Sequence, residues 1–454
     1  MTGRLERAST PWRAVGGWAR TTSTTARVDE ADSPADIGRL LGLRATRGSI
    51  GRGYGRSYGD AAQNAGGRVV LTARLDRILS LDADSGRAHV EAGVSIGALN
   101  RAALPLGWIV AAVPGTGHVS VGGAIASDVH GKNHRSDGGF CCHVDSIELV
   151  TAGGGTVVAS LEHDRDAFLA TAGGMGLTGI VASASLRLQA VESAFVRISN
   201  VRVDDLDNAI ATMSERASRH AVAWLDLVTG GRRVGRGIVS FADHVGVADL
   251  ALPERRDPFR LPVRRAVPTW APGGLITRAT IRRANEARFA IARAESTRVA
   301  PVEAFLHPLD RVADASRVYG PSGVVEHHVV VPDHRVDALE AIVATIVARR
   351  APAALAALKR LGSASGLLSF PLPGWSLAVD YPARWPGLAG LLDDLDDLVA
   401  QAGGRVYLAK DSRMRSELVP LMYPELERWR AIQRRLDPDR QMRSDLDRRL
   451  ALTG

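Results

Sequence analysis

The chain has almost no lysine. Lys132, Lys359 and Lys410 are the only three among 57 basic residues, and the other 54 are arginines. Arginine has therefore taken nearly every ordinary surface position. A lysine that persists against that bias marks a place where a compact ammonium is needed, because arginine does not deprotonate and its planar fork fits differently. Cysteine is just as scarce. Cys141 and Cys142 are adjacent, and neighbours in sequence pair only under strain. There is no disulfide framework, so the chain does not require an oxidising compartment. No run of about 18 apolar residues occurs, so no transmembrane helix is expected. The N-terminal stretch lacks the apolar core of a signal peptide. The expectation is a protein of the cytoplasm, or one peripheral at a membrane. No zinc-finger spacing, heptad-bearing basic helix or RNP-like motif appears, which argues against nucleic acid as a partner. No His, Cys and Asp spacing suggests a metal site. No GxxxxGK[ST] occurs, and no GxGxxG stands between a strand and a helix, which excludes a P-loop and leaves a Rossmann site unsupported.

What is present is a globular composition, 45% hydrophobic and 23% charged. A length of 454 residues favours two domains. The net charge of +8 favours anionic partners, such as a phosphorylated substrate or an anionic membrane surface.

Glycine is where the chain is distinctive. Residues 113–134, VPGTGHVSVGGAIASDVHGKNH, carry Gly115, Gly117, Gly122, Gly123 and Gly131 beside His130, Lys132, Asn133 and His134. Glycine lets backbone approach a ligand closely, and inward-pointing amides cradle phosphate oxygens. A second dense loop is GRGYGRSYGD at 51–60, and a third is GGMGLTG at 173–179. Three such loops in one region imply one long ligand with several polar parts.

Along the chain, Ser33 and Pro34 predict a helix start, and Ser95–Leu104 predicts a second helix. WIVAAV at 108–113 predicts a strand, and 144–159 a hairpin. Many short strands, few helices and no βαβ repeat argue for an α+β fold. The texture changes near 195. Residues 324–332 predict a strand and 336–350 an amphipathic helix. Residues 367–382 predict two strands around Pro373–Gly374, and 403–413 a strand and turn. The Arg- and Pro-rich segment 254–294, with Phe259, Leu261, Trp270, Leu275 and Ile276, suggests either a loop or short helix at a membrane surface or, equally, a solvated insertion.

GRSYGD, PGTGHVSVGGAIASDVHGKNH, GGMGLTGI, HPLD (307–310), YGPSG (319–323), FPLPGW (370–375) and YLAKDSR (407–413) together resemble the FAD-dependent oxidases of the vanillyl-alcohol-oxidase type. Within that family the likeness is to flavoproteins that oxidise a prenyl-phosphate-linked ribose at its 2′-hydroxyl. The resemblance implies a two-domain, PCMH-like FAD-binding fold with an antiparallel-sheet substrate domain. Residues 1–195 would form the FAD-binding part, 196–404 the substrate domain, and 405–454 a segment returning to the FAD-binding domain.

The implied cofactor contacts are Gly53, Tyr54, Gly55, Arg56, Ser57, Tyr58, Gly59, Asp60 and Ala61 in the first loop. Gly115, Ser120, Val121, Gly122, Gly123, Ser127, Asp128, Val129 and His130 follow from the second, with Ile180 and Tyr407. The first loop carries Tyr58 where covalently flavinylated relatives often have histidine, so FAD is expected to be non-covalent. Lys410, His130 and Tyr58 are the implied catalytic residues. Lys132, Lys359, Glu326, His328 and Ala378 are the implied substrate-side residues, the two lysines suiting a phosphate. Related flavoproteins have glutamines near 326 and 328 and a cysteine near 378, so the sugar specificity is open. The implied reaction makes the 2′-keto sugar, the first half of C2 epimerisation toward arabinan, with a short-chain NADH-dependent reductase completing it. The alternative is a soluble sugar or alditol oxidase of specialised metabolism.

Overall fold

The computed structural model describes residues 11–251, 276–311 and 315–454. Most of the expected membrane-contact segment, including Phe259, Leu261, Trp270 and Leu275, lies outside the described residues.

The first part of the chain makes two sheets. Strands β1 (Trp12–Gly16), β2 (Ser23–Glu30), β3 (Ser49–Arg52) and β4 (Arg68–Leu71) form one, in the order β1-β2-β4-β3. β1 and β2 pair antiparallel, while β4 runs parallel to both β2 and β3. Strands β5 (Ile78–Leu81), β6 (Arg87–Glu91), β8 (Val144–Val150), β9 (Thr156–Ala159) and β10 (Ile180–Arg187) form the other, with order β5-β6-β10-β8-β9. Two short strands, β7 (Trp108–Ile109) and β11 (Gln189–Ala190), pair alone.

Helix α1 (Pro34–Gly42) begins where its local chemistry demands. Ser33 Oγ accepts from Asp36 N at 3.1 Å, and Pro34 takes the first turn, where a missing N–H costs nothing. Its buried Ile37, Leu40 and Leu41 share one apolar cluster with Val70 of the first sheet and Val150 and Ile180 of the second. Helix α2 (Ile96–Ala103) starts on a Ser95 cap. Helix α3 (Val121–Ala126) starts on a Ser120 cap and buries Val121, Ala124 and Ile125. It is the GGAIA stretch, and it lies against β6 and β10.

The second part is one eight-stranded sheet. Its strands are β12 (Phe195–Val203), β13 (His220–Leu225), β14 (Gly237–His244), β15 (Glu295–Pro301), β16 (Val324–Pro332), β17 (Leu355–Leu361), β18 (Gly374–Pro382) and β19 (Arg405–Val406). The order is β15-β12-β14-β13-β17-β18-β16-β19, antiparallel throughout. Helices Val336–Ala348 and Leu388–Gln401 pack on each other and on β16, burying Leu339, Ile342, Ile346, Leu391, Leu392 and Leu395. They cover one face, so the side chains of β16 alternate with consequence. His327 points to the helices and bonds Asp396 at 2.8 Å. Glu326 and His328 point to the opposite face.

After β19 the chain crosses back to the first part. Trp429 Nε1 donates to Ala170 O at 2.8 Å, and Met442 bridges Ser49 of β3. Arg449 grips Asp60 with two bonds of 2.9 and 3.0 Å and reaches Asp411 at 2.7 Å. A single apolar core runs through both parts.

Three strand expectations are corrected. WIVAAV is a strand only at Trp108–Ile109, because Val110 N turns to Asn100 Oδ1 at 2.8 Å instead of a neighbouring strand. In 367–382 only Gly374–Pro382 is a strand. Pro371 and Pro373 have no N–H to give a ladder. In 403–413 only Arg405–Val406 pairs.

Candidate active site

The glycine loops of the first part and the open face of the eight-stranded sheet enclose a cavity of about 540 Å³. One wall is the loop after β3. Arg52 pins it by donating to Gly16 O at 2.8 Å and Ala62 O at 3.1 Å. The backbone N–H groups of residues 53–57 meet no acceptor among the described residues. Five consecutive unsatisfied donors along a cavity wall call for an anionic or carbonyl-bearing ligand. Gly55 has φ +63°, and a side chain at Gly53 would collide with Ser120 Oγ. Both glycines are thus set by backbone geometry. The amides of α3 are already used: Val121 N bonds Val94 O, Gly122 N bonds Ala92 O, and Gly123 N bonds Ser120 Oγ. There the glycines allow close packing, with Gly122 directly on Ala92.

The facing wall is the sheet. Glu326 and His328 of β16, Ala357 and Lys359 of β17, and Ala378 and Asp380 of β18 line it. Glu326 and Asp380 are cross-strand partners, as are His328 and Ala378. Lys410 follows β19 and closes the corner. Its Nζ is 3.2 Å from Glu326 Oε1 and 3.3 Å from the centre of the Tyr58 ring. His328 Nδ1 lies 3.3 Å from the same Glu326 oxygen, and its Nε2 is 2.9 Å from Ser376 Oγ. His130, His328, Phe370 and Tyr407 form one aromatic group, with Phe370 and Tyr407 stacked at 4.7 Å. Tyr407 OH donates to Ser127 O at 2.9 Å.

These neighbours decide the charges. Burial opposes a charge on Glu326, but Lys410 and His328 outweigh it and hold its pKa well below the usual carboxylate range. Burial, reinforced by the Glu326 charge, pushes Asp380 the other way, so it keeps its proton. Tyr319 OH donates to Asp380 Oδ2 at 3.0 Å. Two adjacent carboxyls that share one charge are the expected result of like-charge repulsion in a dry site. Burial, then the charge of Lys359, push His130 well below the normal imidazole value, so it is neutral. Its Nδ1 is buried without a partner. Burial brings His328 down to about 4 despite Glu326, Lys359 down to about 8 and Lys132 down to about 7.

Most residues expected at the site line this cavity: Gly53, Tyr54, Gly55, Arg56, Ser57, Tyr58, Ala61, Gly115, Ser120, Gly122, Gly123, Ser127, Val129, His130, Ile180, Tyr407, Lys410, Lys359, Glu326, His328 and Ala378. Five lie behind it. Gly59 presses on the Asp411 carbonyl, Asp60 is held by Arg449, Val121 is core, and Asp128 accepts from Cys141 N at 3.1 Å. Lys132 turns away into the seam between the two parts. It donates to Phe305 O and lies 4.3 Å from the Phe305 ring centre. Sequence reasoning had no role for Asp310, Tyr319 or Asp380. Asp310 clamps the second loop by accepting from Thr116 Oγ1 at 2.5 Å and Gly117 N at 2.8 Å. His307 Nδ1 donates to Pro114 O at 3.0 Å beside it. HPLD and YGPSG were visible as motifs, but nothing local says which carboxylate or hydroxyl they meet.

The free amides and the close-approach glycines along the cavity fit a dinucleotide cofactor with a diphosphate. Residues 8–160 match the family described as an FAD binding domain. Over 453 residues the chain is 37% identical to the decaprenylphosphoryl-beta-D-ribose oxidase of Mycolicibacterium smegmatis, covering 98% of each protein. It is 38% identical over 362 residues to an uncharacterised Streptomyces coelicolor protein, covering 77% of this chain and 97% of that one. It is 32% identical over 148 residues to a mitochondrial L-galactono-1,4-lactone dehydrogenase of Oryza sativa, which covers 32% of this chain and 25% of that one. A glycine-loop cavity with a polar, lysine-bearing sheet wall is what a flavin-dependent oxidation needs, and the chain belongs to the FAD-dependent oxidoreductases, in the family of the decaprenylphosphoryl-beta-D-ribose oxidase.

Proposed function

We propose that this protein oxidises the ribose 2′-hydroxyl of a polyprenylphosphoryl-β-D-ribose to the 2′-ketone, the first half of a C2 epimerisation. The observation that carries this reading is the continuity of the cavity. One space runs from the free amides of residues 53–57 to the sheet wall bearing Glu326, His328, Lys359 and Lys410.

FAD, held non-covalently, supplies the two-electron acceptor for the carbinol hydrogen. The amides of residues 53–57 would hold its diphosphate, and Ile180, Tyr407 and the α3 segment, which line the same cavity, would contact it. Lys410, fixed by Glu326 and the Tyr58 ring, places a positive charge where negative charge develops. Tyr58 and Tyr407 stay protonated, because burial raises both phenols; Tyr58 acts as a donor, while Tyr407 gives its proton to Ser127 O. His130, neutral and lining the cavity, orients the sugar. A short-chain NADH-dependent reductase would return the ketone to the epimeric alcohol. The long prenyl tail requires access from a membrane, and no helix among the described residues is long and apolar enough to cross one. Contact is therefore proposed as peripheral.

Anaerobic mixing with polyprenylphosphoryl-ribose tests the reading. It should bleach the oxidised-flavin absorbance in a single turnover. A flavin left oxidised by that substrate but bleached by a free alditol overturns it.

A further inference from the structure

The cavity holds two ammonium groups in different circumstances. Lys410 has a carboxylate at 3.2 Å and an aromatic face at 3.3 Å. Lys359 lines the same cavity with no hydrogen-bond or ion-pair partner among the described residues. It stands on β17 opposite Ser376 of β18, in the middle of the sheet. The 130–134 segment presents His130 to the cavity, depressed by burial and then by the Lys359 charge. β16 presents His328 and Glu326, and Lys410 lies beyond. The one carboxylate among these, Glu326, is already committed to Lys410. Arg360, next in sequence, points to the other face and is paired to Asp333 at 2.9 and 3.1 Å.

On the reading that this site oxidises a sugar alcohol, we propose that Lys359, and not Lys410, is the base that takes the hydroxyl proton. The O–H bond breaks and its proton joins Lys359 Nζ, which becomes an ammonium. The oxygen electron pair closes the C=O bond. The C–H bond breaks, and that hydrogen leaves with its electron pair to FAD. The carbinol is oxidised, the cofactor is reduced, and one proton stays on the protein until water removes it. Lys410 is already engaged by Glu326 at 3.2 Å and by the Tyr58 face at 3.3 Å. Its charge next to the reacting oxygen instead favours proton loss. Lys359 gains a proton in surroundings that favour losing it again, which resets the base. Burial places it at about 8, so roughly a tenth of it is free amine at pH 7. A base poised near the working pH transfers protons most efficiently.

The scarcity of lysine makes the test direct. In holoenzyme labelled with ¹⁵Nζ-lysine, three side-chain signals are expected, assignable by single Lys→Arg variants. The Lys359 signal should titrate near pH 8. A Lys359 signal that remains an ammonium to about pH 10, the unperturbed range, overturns the proposal without needing any variant to fold. Single-turnover flavin reduction gives the second readout. In the unaltered enzyme the rate should rise through pH 8. Lys359→Met should lose that rise, slow by roughly 10²–10⁴-fold, and recover on adding small primary amines. Retention of the pH step in K359M, or no amine rescue, assigns the base elsewhere. If the lipid-linked ribose fails to reduce the unaltered enzyme and an alditol succeeds, the substrate reading falls. The lysine titration and rescue are then scored with the alditol.

Discussion

Replacing Glu326 by Gln tests the electrostatic logic of the sheet wall. The change keeps the shape and removes one charge. The Lys410–Glu326 distance is 3.2 Å, with side-chain exposures of 21% and 11%. Coulomb attraction at that distance and an effective dielectric near 20 is about 5 kcal/mol. Much of it returns by another route. Without the Glu326 charge, Asp380 has less reason to hold its proton, and its carboxylate can face Lys410 across the two strands. The Tyr58 ring also remains, worth about 1 kcal/mol. The expected net loss is about 2 kcal/mol at pH 7, read by urea unfolding of matched FAD-loaded samples. The pH dependence carries the sign. Glu326 has a depressed pKa in the folded protein. Its stabilising contribution is complete above the unfolded value of about 4.3 and is lost as pH falls toward the folded value. The gap between the two proteins should therefore narrow by about 1 kcal/mol by pH 3.5. A protonated-carboxyl infrared band present in the unaltered protein should also weaken in E326Q. A gap of constant size from pH 7 to 3.5, or no gap at pH 7, refutes the assignment of the single charge to Glu326.

Asp380→Asn mimics the protonated acid and can keep the Tyr319 bond. Because the folded pKa of Asp380 is raised, the unaltered protein loses stability as pH climbs above about 3.9, and D380N should gain on it steadily as pH rises to 7. A variant that becomes relatively weaker with rising pH contradicts this. Lys410→Arg should retain FAD but slow flavin reduction by about 10²-fold or more, since a planar fork cannot sit between Glu326 and the Tyr58 face as an ammonium does. Unimpaired reduction in stopped flow removes Lys410 from the chemistry. Gly53→Ala drives a methyl group into Ser120 Oγ, which caps α3 at 3.2 Å from Gly123 N. FAD affinity, followed by fluorescence on dilution, should fall about tenfold with the far-ultraviolet circular dichroism unchanged.

What could be read in the sequence is what short-range chemistry decides. Ser33 and Pro34 start α1 through a local cap, and the glycine clusters mark loops whatever surrounds them. The three lysines stood out by rarity, and two of them line the cavity. Lys132 does not, although it is two residues from His130. The turn after Val129 carries it across the seam, and proximity in sequence does not report that. Asp380 and Tyr319 were invisible for a different reason. They are 61 residues apart, and only strand register brings Asp380 onto Glu326. The proline-rich FPLP stretch looked like a strand by its apolar residues and failed as one for want of donors.

Arg449 joins Asp60 across 389 positions of sequence, and Met442 lies along Ser49. The loop that presents free amides is therefore completed by residues made after the whole eight-stranded sheet. Cofactor capture then becomes a late event in the life of the chain, and bound flavin reports on folding of the entire polypeptide, not of its first third. A chain stopped at residue 404 should have a complete glycine sequence and no tight hold on FAD.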